Sequence, residues 1–234
     1  MTSSLHSCRA RPQSDRRNVI FIGETGSGKS SVINLIAGRN LAEVSSDAAP
    51  CTRDFAYYDV PLELEGAPGM CRLWDTPGLN GTSRFRSFRA SNPPIPSIPS
   101  LRRFLQERYR SGELDLLVFC AQGNRASSNV ISKYYNTFCR PTRRIAVPVV
   151  IAVTHLERQQ PTMDAWWHNN ERSLGDLGCV FDGYACLTCM SFHHRGCASY
   201  EAIRSLISAQ YPSPAGRSLS PVEYINDEKV CIIC

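Results

Sequence analysis

No run among the 234 residues is long and apolar enough to span a bilayer. Residues 1–17 have no apolar core, so they do not read as a secretory signal. Together these absences predict a cytoplasmic protein. In that setting most of the eleven cysteines read as buried reduced thiols, not disulfides. Strong charge of one sign is missing too, since the net charge is a modest +5. The arginines cluster: Arg9, Arg11, Arg16 and Arg17 precede the first apolar run, and Arg84, Arg86 and Arg89 lie in a Pro/Ser-rich segment. They read as solvated tails, and no nucleic-acid partner is expected. No internal repeat is present. What remains is the composition of a globular domain, 42% hydrophobic and 20% charged, in a chain long enough to bury its own core.

The apolar residues come in short runs. Residues 19–22, 114–120 (LDLLVFC) and 147–153 (VPVVIAV) read as buried strands. Residues 55–64 (FAYYDVPLEL) and 70–74 (MCRLW) read as two more, with the turn GAPG between them, and 184–189 (YACLTC) as a shorter one. Helical spacing appears at 29–37, closing on Gly38, and at 101–109, 129–139, 163–174 and 200–207. This alternation predicts an α/β fold: a doubly wound, mostly parallel six-stranded sheet with helices on both faces. The domain is placed at residues 18–210, between a basic N-terminal tail (1–17) and a C-terminal tail (211–234). Residues 80–100 form a Pro/Ser/Arg-rich insertion, and a loop of that length is either functional or disordered.

The first run ends in GETGSGKS, residues 23–30, which fits G-x-x-x-x-G-K-[ST] at each fixed position. Glycines there allow positive φ and a close approach to phosphate. The N–H groups of Gly23, Glu24, Thr25, Gly26, Ser27 and Gly28 then converge on an anion at a helix N-terminus. Lys29 is placed to reach the β- and γ-phosphates and Ser30 to ligate Mg²⁺, with Ser31 beside it in the nucleotide site. The later strand ends in WDTPG. Asp75 is positioned to hold Mg²⁺ through water, and Gly78 to offer its N–H to a γ-phosphate. Between these motifs lies SSDAAPCTRDF. Thr52 is its candidate second hydroxyl ligand to Mg²⁺, ordered by γ-phosphate, while Ser45 and Thr142 are more poorly placed.

GETGSGKS, Thr52 and DTPG in this order resemble the first three motifs of P-loop GTPases. The Asn-Lys-x-Asp of such proteins is absent, and Thr154, His155 and Glu157 of THLE stand in its place. The resemblance implies that Glu157 accepts from guanine N1–H and N2–H₂, which adenine cannot match, and that His155 covers the base. The Thr-His form resembles the septin, chloroplast-import (Toc) and immunity-associated (AIG-type, GIMAP-like) GTPases, and the order of elements is similar to that of a group of fungal G-domain proteins. A fifth motif would fall at residues 187–189, with Thr188 near guanine, although the usual Ser-Ala is missing. LLVFCAQGNRASS, residues 116–128, is similar to a box in the immunity-associated proteins. That likeness implies Arg125 as a catalytic residue acting across a nucleotide-dependent homodimer.

One more absence bears on turnover. Many GTPases place a water-orienting Gln after the third-motif glycine, where this chain has Leu79. Slow intrinsic hydrolysis of GTP to GDP and phosphate is expected unless a second protomer or another partner completes the site. The expected ligands are GTP or GDP and Mg²⁺, and the expected partners a second copy and an effector. An ATP-using phosphotransferase or ATPase and a septin-like assembly scaffold remain alternatives. Cys186, Cys189, His193 or His194, and Cys197 have tolerable spacing for zinc. Against this, residues three apart on one strand face opposite ways. The final CIIC fits Cys-a-a-X, which makes Cys231 a candidate for prenylation and weak membrane association.

Overall fold

The computed structural model describes residues 16–44, 54–64, 67–79, 98–190 and 195–211. In chain order the elements are β1 (Arg16–Gly23), α1 (Lys29–Ala37), β2 (Ala56–Leu64), β3 (Ala67–Asp75), α2 (Ile98–Arg110), β4 (Leu116–Gln122) and α3 (Ser128–Tyr134). A π-helical turn (Tyr135–Cys139), α4 (Arg140–Arg144), β5 (Val149–Thr154), α5 (Ala165–Asp176), β6 (Tyr184–Cys186) and α6 (Gly196–Ser208) follow. The strands make one six-stranded sheet in the order β2-β3-β1-β4-β5-β6. Among the described residues only the β2–β3 pair is antiparallel.

Strand β1 shows why the sheet is covered on both faces. Ile20 and Ile22 enter one core and Val19 and Phe21 the other, all of them fully buried. β4 divides the same way, with Leu117 and Phe119 on one side and Leu116 and Val118 on the other. Fully burying such a side chain contributes about 1.5–3 kcal/mol, so neither face can be left to water. Leu105 of α2, Tyr134 of α3 and Trp166 of α5 close the first core. Ile33 of α1 and Ile203 of α6 close the second. The doubly wound α/β expectation is met.

Several boundaries move. β1 begins at Arg16, inside the expected tail, because Arg16 and Arg17 pair with Met70 and Cys71 of β3. Both have partners: Arg16 lies 3.3 Å from the Asp59 carboxylate, and the Arg17 guanidinium 5.2 Å from the centre of the Tyr211 ring. Tyr211, also placed in a tail, is buried. The single helix expected at 129–139 is instead α3, the π-helical turn and α4. Pro141 lacks an N–H and its ring crowds the carbonyl a turn earlier, and the wider turn comes just before it. α2 starts at Ile98, within the expected loop, and residues 80–97 lie outside the described residues.

β6 has only three residues and ends before Cys189, which removes the opposite-face objection to zinc. Even so, no group of three His, Cys, Asp or Glu among the described residues is placed to hold a metal ion. His193 and His194 lie outside them. Cys71, Cys120, Cys139, Cys179 and Cys186 are buried free thiols. No helix among the described residues is long and apolar enough to cross a membrane.

Candidate functional site

β1, β3, β4 and β5 end on one rim of the sheet, where Gly23 pairs with Cys120 and Gln122 with Thr154. The loop of residues 24–28 leaves β1 there and runs into α1. Gly26 and Gly28 have φ of 79° and 84°, a region other residues rarely adopt. Gly28 is also cramped, since a Cβ there would lie 3.1 Å from the Thr154 methyl. Lys29 is buried, and its Nζ donates to the carbonyls of Glu24 (3.0 Å) and Gly23 (3.3 Å). Burial lowers the ammonium pKa and the nearby Asp75 opposes that shift. Ser31 is half-buried next to Ser30 on the first turn of α1.

The end of β3 is fastened to this loop. Thr25 N–H donates to Leu79 O at 2.9 Å, and Leu79 N–H donates to Gly23 O at 3.0 Å. Gly78 lies so close that a Cβ would come within 2.5 Å of Thr25 Cα. Thr76 Oγ1 donates to Phe21 O at 2.7 Å, pinning β3 to β1. Ser30 Oγ donates to Asp75 Oδ2 at 2.6 Å. This pair, a helix-start hydroxyl beside a buried carboxylate, is the hard oxygen donor set that Mg²⁺ takes.

On the far side of the loop, Thr154 is buried. Its Oγ1 lies 3.0 Å from Ser27 O, 3.3 Å from Ala121 O and 2.8 Å from His155 Nδ1. A hydroxyl has one proton and the carbonyls can only accept. Nδ1 therefore carries the ring proton and donates, leaving Nε2 an acceptor. The hydroxyl of Thr154, a residue expected to help select a base, is engaged with the carbonyl of Ser27 and so braces the phosphate loop. His155 sits at φ 60° and is half-buried. Burial lowers its pKa, with Glu157 opposing and Arg125 adding to the fall, so the ring is neutral at pH 7. Glu157 Oε1 accepts from Thr188 Oγ1 at 3.1 Å, which joins the fourth and fifth motifs.

Residues 18–155 match the family described as 50S ribosome-binding GTPase. The chain belongs to that family. Its motifs are those of a P-loop GTPase. It is 37% identical over 99 residues to the probable GTP-binding protein EngB of Myxococcus xanthus, a match covering 42% of this chain and 46% of that protein. Its fold is similar to that of Era from Aquifex aeolicus, with a TM-score of 0.58 and 15% identity over 92% of this chain and 62% of that one. It is also similar to Toc33 from Arabidopsis thaliana, with a TM-score of 0.56 and 16% identity over 87% and 86% of the two chains. The chain thus spans less than half the length of EngB.

The GTPase carries Arg125 exposed on the turn after β4, with its N–H bonded to Gln122 O at 3.1 Å. Its turn is bonded to the end of β5, Gly123 N–H donating to Thr154 O at 2.8 Å. Thr52 and Ser45 lie outside the described residues, and Thr142 is buried away from the rim, donating to Phe138 O at 2.8 Å. Some supporting residues were not selected from the sequence. Trp166 Nε1 donates to Gly123 O at 2.9 Å, holding the Arg125 turn. Arg195 and Ser199 bond to the loops of the fourth and fifth motifs. The helical spacing at 163–174 marked Trp166 as core, and nothing in the sequence marked the other two.

Proposed function

We propose that this GTPase is a Mg²⁺-dependent guanine-nucleotide switch that holds GTP readily and, by itself, hydrolyses it slowly. Leu79 is the observation that carries this. Its side chain is 3% exposed and packs in the core. Its N–H and carbonyl are both bonded to the phosphate loop. The position after Gly78 therefore brings no side chain able to orient water. In this reading Lys29 and the loop amides hold the phosphates, Gly78 N–H meets the third phosphate, and Glu157 and His155 meet guanine. Ser30 and Thr52 would ligate Mg²⁺, with Asp75 behind a water. The ion neutralises charge on the β- and γ-phosphates. The similar fold of Era, solved with GDP and aluminium fluoride, supports this use of the rim.

The Toc33 structure is of a dimerisation-deficient variant, and Arg125 is exposed on the turn after β4. Both support a homodimer that faces its nucleotides and completes hydrolysis. The THLE motif favours the septin, Toc and immunity-associated branch, whereas the identity with EngB draws the chain toward another.

Titrating labelled GTP, GDP and ATP with and without Mg²⁺ tests the ligand assignment. GTP and GDP are expected to bind, ATP to bind far more weakly, and chelation to weaken GTP. Preference for ATP would overturn the reading. Single-turnover hydrolysis across a range of protein concentrations tests the slow step: rapid turnover independent of concentration would remove it.

A further inference from the structure

We propose that Ser199 and Arg195, at the start of α6, are positioning residues for guanine selection, an inference that rests on the reading that Glu157 meets the base. Glutamate is a long side chain with several rotatable bonds, and fixing it costs more conformational entropy than fixing an aspartate. Something must therefore hold the carboxylate. Thr188 Oγ1 does so at 3.1 Å while accepting from Met190 N–H at 3.3 Å. Thr188 is itself fully buried and is aimed by its backbone, whose N–H donates to Ser199 Oγ at 3.0 Å. The same Ser199 hydroxyl spends its proton on Arg195 O at 3.1 Å. Its lone pairs remain for Thr188, so the direction of that bond is fixed.

Arg195 acts on the other loop. Its Nη1 donates to Gln159 O at 2.8 Å and its Nη2 to Pro161 O at 3.4 Å, two and four residues beyond Glu157. One helix start thus grips both guanine-facing loops, residues 155–161 through a guanidinium and residues 187–190 through a hydroxyl. Leu187 stitches the second loop to β5 and to the first loop, giving its N–H to Val153 O at 2.7 Å and accepting from Leu156 N–H at 3.4 Å. The position of the Glu157 carboxylate is then set from α6 as well as from β5.

Inosine triphosphate lacks the 2-amino group that a carboxylate at Glu157 would read, so the ratio of GTP to ITP affinity reports carboxylate placement. Wild type is expected to favour GTP. In Ser199→Ala the ratio is expected to fall roughly fivefold to tenfold, since the bond that aims Thr188 is lost and its buried N–H is left unpaired. Arg195→Ala is expected to lower it severalfold, and it serves as the test if Ser199→Ala does not fold. Loss of affinity for GTP and ITP in equal proportion, with the ratio kept, would show a merely structural role and overturn the proposal. A wild type that binds GTP and ITP equally would instead sink the base reading of Glu157, and the positioning role with it.

Discussion

Gly78 approaches Thr25 more closely than any side chain allows. A Cβ would strike Thr25 Oγ1 at 2.5 Å but also its backbone, with Thr25 Cα at 2.5 Å and Thr25 N at 2.7 Å, so a change of rotamer cannot relieve the clash. Gly78→Ala is expected to cost about 1–3 kcal/mol and to weaken GTP binding, because the strain is delivered into the phosphate loop. Urea denaturation and nucleotide titration of the same variant check both effects. His155 makes a second prediction at this scale. Its folded pKa lies below the ordinary 6.5, chiefly through burial. Between those two values the unfolded chain binds more protons, so stability falls as pH drops below 6.5 and levels off below the folded value. Above 6.5 the group contributes no slope. His155→Asn, which tolerates positive φ, is expected to flatten that part of the curve, measured as the difference in urea midpoint from wild type between pH 5 and 7.5. The motif residues were legible because a phosphate loop needs glycine, lysine and hydroxyl at fixed spacing. Arg195 and Ser199 were not, because their part depends on where α6 begins in space.

At the scale of elements, the end of β3 and the phosphate loop behave as one piece. Leu79 serves both: its backbone bridges to the loop and its side chain anchors the bridge in the core. Restoring a glutamine there is therefore expected not to restore hydrolysis. Leu79→Gln would bury an amide at a site 3% exposed, costing about 1–3 kcal/mol, with single-turnover rate unchanged or lower. A faster rate in that variant would show that residue 79 reaches the nucleotide. Strands β4 and β5 were readable because their apolar runs are continuous, as strands covered on both faces must be. The π-helical turn was not, since the repeat of Val130, Ile131, Tyr134, Tyr135 and Phe138 fits an unbroken helix. Pro141, which stops the α-ladder, lies beyond the apolar spacing that defined it.

Across the whole molecule, the first and last described stretches meet at the end of the sheet opposite the rim. Arg17 opens β1 and Tyr211 follows α6, and the cation lies over the ring. Arg16, Arg17 and Tyr211, which lie just outside the expected span of 18–210, are thus packed with the described fold. The polar sequence at both junctions hid this, because each residue's partner is almost two hundred positions away. The rim carries the other long-range expectation. If a second protomer supplies Arg125, the GTPase rate per molecule rises with protein concentration, and Arg125→Ala flattens that rise.

The Tyr211 contact can be weighed with two substitutions. The ring is 6% exposed and packs in the core beneath α6, so Tyr211→Ala is expected to cost about 3–5 kcal/mol, as for other large aromatic truncations. Its hydroxyl is buried and has no hydrogen-bond partner among the described residues, and burial with nearby Cys71 and Asp115 pushes its pKa up. An unsatisfied buried hydroxyl is a net cost. Tyr211→Phe in the full chain is therefore expected to raise stability by up to about 1 kcal/mol, read as a higher urea midpoint with unchanged slope. A lower midpoint would mean that the hydroxyl is bonded, and that the end of α6 is tied to the sheet by more than apolar packing.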